Sequence, residues 1–126
     1  MLAKTILIAD DEADQVQTLE TLLTERGYRV ITAQNGEEVL TKARHQQPHL
    51  IVLDIMMPKI DGTQVAMLLK QDARTKDIPV FFITAVISAD DHQNTIGHPN
   101  AVFAKPVRLE ELLEAIGMVL VDRPPL

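Results

Sequence analysis

The sequence predicts an α/β fold: a parallel sheet of five strands with helices on both faces. Three observations lead there. Five short apolar runs recur along the chain, and segments of helical periodicity lie between them. Most of the runs are continuous rather than alternating, the pattern of strands covered on both sides. A chain of 126 residues is one domain, large enough to bury roughly two-thirds of its unfolded surface.

The five runs are Thr5–Ala9, Tyr28–Ile31, Leu50–Leu53, Val80–Ile83 and Ala101–Ala104. After the first, Val16, Leu19, Leu22 and Leu23 recur at helical spacing, and Gly27 is a good helix stop. Asn35 with Glu38, and Asp61 with Gln64, read as N-caps of the next two helices. The fourth helical stretch, Ser88 to Ile96, holds few apolar residues, and Gly97 and Pro99 close it early. Leu109, Leu112, Leu113, Ile116 and Leu120 line one face of a last helix. The domain is expected over residues 1–120, with 121–126, containing Pro124 and Pro125, as a short tail or the start of a linker.

Composition narrows the chemistry. There is no cysteine, which excludes disulfides, thiolate metal sites and cysteine nucleophiles. The apolar run at the amino terminus is too short for a signal peptide, and no stretch approaches a membrane span; a cytoplasmic location is expected. A net charge of −6 with 3% aromatic residues argues against a nucleic-acid surface, which calls for basic stripes and stacking rings.

The stretch "IVLDIMMPKIDG", residues 51–62, ends an apolar run on Asp54 with no neutralising charge beside it. In an open parallel sheet, ligands bind beyond the carboxyl ends of the strands. At those ends stand Asp10 and Asp11, Asp54, Thr84 and Lys105. Singly, each has an ordinary explanation: Asp11 as a helix cap, Thr84 as a strand-end hydroxyl, Lys105 as a solvated surface lysine. Together at one edge they make a site. Two carboxylates about 4 Å apart repel by about 4 kcal/mol at an effective dielectric near 20. Three carboxylates against one lysine therefore either raise a pKa or bind a cation. An all-oxygen site with room for water suits Mg²⁺ better than zinc. His45, His49, His92 and His98 show no ligand spacing and read as surface residues.

With "ILIADDE", "IVLDIMMPKIDG", "FFITA" and "FAKP" in this order and spacing, the chain resembles the receiver domain of two-component response regulators from Lys4 to about Leu120. The resemblance implies a flavodoxin-like doubly wound sheet of strand order 2-1-3-4-5. It makes Asp54 the phosphoacceptor. Asp11 and Asp54 would bind Mg²⁺ directly with the main-chain carbonyl of Met56, and Asp10 mainly through water. Thr84 would donate to a phosphoryl oxygen, Ala85 would leave room for the group, and Lys105 would pair with its oxygens. Pro58, Gly62 and Pro106 would have structural roles, Pro106 fixing the bend after the fifth strand.

The implied partner is a sensor histidine kinase or a histidine phosphotransfer protein, with a homodimer among the assemblies allowed. Such a domain is not an enzyme beyond its own phosphotransfer and slow autodephosphorylation. The chemistry holds without the family: a carboxylate can attack phosphorus to give an acyl phosphate. Loose phosphoryl transfer depends on in-line positioning and charge neutralisation. Three residues before the lysine the family carries a switch aromatic; here that position is Val102, and alternation turns Phe103 to the opposite face. The runner-up is a receiver-fold docking or dimerisation module with phosphorylation-independent output. An aspartate-nucleophile phosphatase would have a second Asp at Met56, and a flavin module a phosphate loop in place of Asp10-Asp11-Glu12. No GxGxxG or P-loop pattern occurs.

Overall fold

A computed structural model describes residues 3–55, 57, 61–84, 101–105 and 108–120. Five strands, β1 (Thr5–Ala9), β2 (Arg29–Ala33), β3 (Leu50–Asp54), β4 (Val80–Thr84) and β5 (Ala101–Ala104), form one sheet. Every pairing is parallel and the order is β2-β1-β3-β4-β5, as expected. Four helices lie among the described residues: α1 (Ala13–Glu25), α2 (Gly36–Gln46), α3 (Gly62–Gln71) and α4 (Leu109–Leu120). The helical stretch expected at Ser88–Ile96 lies outside the described residues, as does the tail 121–126. No helix of the described residues is long and apolar enough to cross a membrane.

The period-two alternation of each strand sorts its side chains into two cores. Ile6, Ile8, Leu50, Val52, Phe81, Ile83 and Phe103 pack with Leu19 and Leu23 of α1 and Leu112 and Ile116 of α4. Leu7, Ala9, Ile51, Leu53 and Val80 pack with Val39 and Leu40 of α2 and Val65 and Leu69 of α3. All five residues of β3 are buried, which explains why its sequence shows no alternation. Full burial of each such leucine or isoleucine contributes roughly 1.5–3 kcal/mol. Phe103 joins the first core, its ring 5.4 Å from that of Phe81, while Val102 is half-buried on the other side of β5.

The ends of α1 to α3 are held by local chemistry. The Asn35 side chain accepts from the Glu38 N–H at 3.0 Å, and the Asp61 carboxylate from the Gln64 N–H at 3.0 Å. Gly27, at φ 93°, closes α1: its N–H donates to Thr24 and that of Tyr28 to Leu23. That closure corrects the sequence reading of β2. With its N–H turned back to the helix, Tyr28 is not in the ladder, and the strand runs from Arg29 to Ala33. β3 and β4 each extend one residue past their apolar runs, taking Asp54 and Thr84 into the sheet.

Candidate functional site

The chain reverses its winding between β1 and β3, so the crevice of the sheet opens at their carboxyl ends. At the end of β1 the Asp10 N–H still reaches the carbonyl of Ala33 on β2 at 3.3 Å. The Asp10 carboxylate then accepts from the Glu12 N–H at 2.9 Å, a local turn that stops the strand and starts α1. Asp10 is 4% exposed, whereas Asp11 and Glu12 are open to solvent.

Asp54, the last residue of β3, is 1% exposed and stands in register with Ile83. The next N–H, that of Ile55, donates to the Ile83 carbonyl at 3.0 Å, so the strand end is held to β4. From the other side, the Gly62 N–H donates to the Ile55 carbonyl at 2.7 Å. Thr84 closes β4 opposite Ala104, and the Lys105 N–H donates to its carbonyl at 2.9 Å.

The ammonium of Lys105 returns across the crevice, with Nζ 2.8 Å from Asp54 Oδ2 and 3.4 Å from Glu12 Oε1. The cation that Asp54 lacks in its own neighbourhood thus arrives from 51 residues away. Burial lowers the pKa of Lys105, and the hydrogen bond to Asp54 with the charges of Asp10 and Asp54 outweighs that, leaving it raised. One ammonium does not balance the cluster. Burial, then the charge of Asp54, push the Asp10 carboxyl up to about 6, against the hydrogen bond from Glu12 and the charge of Lys105. The raised pKa of Asp10 thus owes most to its burial, with the charge of Asp54 adding to it.

Among the described residues, one acidic group has geometry for a metal ion: carboxylate oxygens of Asp10, Asp11 and Glu12 lie within 4.8 Å of one another. Three oxygen donors, two of them exposed, suit a hard cation that keeps part of its water shell. A cleft of about 250 Å³ opens beside Asp10 and Asp11, lined also by Val16 and Gln17 of α1 and by Thr32 and Gln34.

The structure thus brings Asp10, Asp54 and Lys105 into contact and sets Asp11 beside them, with Thr84 at the neighbouring strand end. Met56, Pro58, Ala85 and Pro106 lie outside the described residues. His45 and His49 are exposed, and His49 is used locally, its Nδ1 accepting from the Thr5 N–H at 3.0 Å. His92 and His98 lie outside the described residues. Sequence reasoning missed Glu12 as a partner of Lys105. Its one signal was the third consecutive acid of the run, which does not say where the side chain turns.

Carboxylates and a lysine thus gather at the switch point of a doubly wound sheet. Residues 6–117 match the response regulator receiver domain, and the chain belongs to that family, whose members serve two-component systems. It is 44% identical over 117 residues to the probable transcriptional regulator ycf27 of Pyropia yezoensis, covering 91% of this chain and 46% of that protein. It is 39% identical over 113 residues to the alkaline phosphatase synthesis transcriptional regulatory protein PhoP of Bacillus subtilis, covering 81% and 46%. The chain spans less than half the length of these regulators. The polar-differentiation response regulator DivK of Brucella anthropi, 31% identical over 122 residues, is matched over 96% of this chain and 99% of its own. Among solved structures, the chemotaxis response regulator CheY4 of Vibrio cholerae superimposes with a TM-score of 0.81 at 27% identity, covering 94% of this chain and all of that one.

Proposed function

We propose that this receiver domain takes a phosphoryl group on Asp54 from a phosphohistidine of a sensor histidine kinase or phosphotransfer protein, in the cytoplasm. The observation that carries the reading is the Lys105–Asp54 contact, 2.8 Å, at a carboxylate only 1% exposed. Such a carboxylate is held at one position and orientation, and its partner cation is already in place. Asp54 would attack phosphorus as the bond to the imidazole nitrogen breaks; the electron pair stays on that nitrogen, and an acyl phosphate forms. Lys105 would neutralise charge on the transferring oxygens, and Thr84, one strand over, would donate its hydroxyl to one of them.

The acidic group of Asp10, Asp11 and Glu12 suits Mg²⁺; Asp11 and Asp54 would hold the ion directly with a main-chain oxygen of Met56, and Asp10 mainly through water, with Glu12 beside them. Bound there, the ion would add the positive charge that phosphoryl oxygens require. A unit over residues 1–120, with 121–126 as tail or linker, is part of the same reading.

Incubation with acetyl phosphate and Mg²⁺ tests it. The chain should gain one hydroxylamine-labile phosphoryl group, and Asp54→Asn should gain none. Full labelling of that variant at another residue would overturn the assignment. Asp11→Ala should abolish the amide shifts that Mg²⁺ produces around Asp11 and Asp54 in the parent.

A further inference from the structure

Glu12 occupies the N-cap position of α1, yet its side chain makes no capping hydrogen bond. Caps are usually short side chains that reach back to the N2 or N3 amide. Instead the Glu12 carboxylate crosses a separation of 93 residues to Lys105, 3.4 Å from Nζ. Lys105 is therefore shared between two carboxylates, the buried Asp54 and the exposed Glu12. The ammonium side chain is 18% exposed and that of Glu12 is 59% exposed. The contact thus lies on the solvent-exposed side of the crevice.

We propose that Glu12 is a positioning residue that competes with the phosphoryl group for Lys105 and so slows phosphotransfer to Asp54. This rests on Asp54 being the phosphoacceptor. A phosphoryl group brings strong acceptor oxygens and negative charge, and it would have to share the Lys105 ammonium with Glu12. While that contact lasts, the Glu12 charge repels the anionic donor and offsets part of the positive charge that the transfer requires. The plainer role for an acid at this position is to complement the helix dipole of α1. That role would change stability and leave the labelling rate alone.

The test is the initial rate of labelling of the full chain by acetyl phosphate at saturating Mg²⁺, for the parent, Glu12→Gln and Glu12→Asp. In this reaction Asp54 attacks phosphorus and acetate leaves with the electron pair of the broken bond. Glu12→Gln should label roughly 1.5–5-fold faster at low ionic strength, the range expected for one screened surface charge. The gain should shrink toward unity in about 1 M salt. Glu12→Asp keeps the charge but retracts it from Lys105, and should fall between. A Glu12→Gln rate equal to or below the parent at every salt concentration overturns the proposal. So does a rise of more than about tenfold in the Mg²⁺ needed for half-maximal rate, which would make Glu12 a metal ligand. A parent chain that does not label overturns the reading of Asp54 itself, and is distinguishable on that ground.

Discussion

Gly62 packs so closely on the end of β3 that a Cβ there would stand 2.6 Å from the main-chain oxygen of Asp54 and 2.6 Å from the Cα of Ile55. Both are backbone atoms, so no side-chain rotation relieves the overlap. The first turn of α3 is thereby clamped on the strand end that carries the proposed nucleophile. Gly62→Ala should force the two apart, lowering stability by roughly 1–3 kcal/mol. It should appear as a lower urea midpoint at constant slope, with slower labelling of Asp54. An unchanged midpoint would show that α3 can slide away freely.

The raised pKa of Asp10 sets a pH dependence. An acid whose pKa is about 6 folded and 3.8 unfolded binds more protons in the folded state between those values. Stability therefore falls as pH rises through that window. From pH 5 to pH 7 this one group should remove about 1 kcal/mol from the metal-free chain. Asp10→Asn should flatten that slope in denaturant titrations, and Mg²⁺ affinity should weaken on going from pH 7 to pH 5. Metal-free stability that rises over this window in the parent, with no change in the variant, would contradict the assignment.

Lys105 has the opposite sign. Its pKa is raised in the folded state, so its contribution is fully present below the unfolded value and is lost only as pH climbs through the folded one. Lys105→Met should leave the buried Asp54 carboxylate without that cation and cost roughly 2–4 kcal/mol at neutral pH. Saturating Mg²⁺ should restore much of it, because the ion replaces the missing charge. A variant as stable as the parent without metal would show that the ion pair contributes nothing net.

Away from the site, Asp72 ties α2 to the loop after α3. Its carboxylate accepts from Arg44 Nε at 3.0 Å and from the Arg74 N–H at 2.8 Å, and pairs with the Arg74 guanidinium at 3.1 Å. Hydrogen bonds from Arg74, then from Arg44, hold its pKa down at about 2. The contribution is present above the unfolded value and lost as pH falls toward 2. Asp72→Asn should lower Tm at pH 7, with the difference from the parent vanishing in acid. A difference that persists at pH 2 would point to packing instead of charge.

What the sequence by itself determined is whatever a local period or a local cap encodes. Continuous apolar runs such as Leu50–Leu53 marked strands covered on both sides, because burial on two faces erases alternation. Asn35 and Asp61 marked helix starts because the bonds they make span three residues. The alternating order of strands and helices then implied one edge where Asp10, Asp54, Thr84 and Lys105 had to converge. Only the tertiary structure decided which of these touch. Lys105 meets Asp54 across 51 residues and Glu12 across 93, distances in sequence over which no period carries information. Those meetings depend on strand register and on the curvature of loops. The same holds for the pKa of Asp10, which comes from its burial and from the charge of Asp54 on a neighbouring strand. It holds also for Gly62, whose missing side chain matters only because the backbone of Asp54 lies against it.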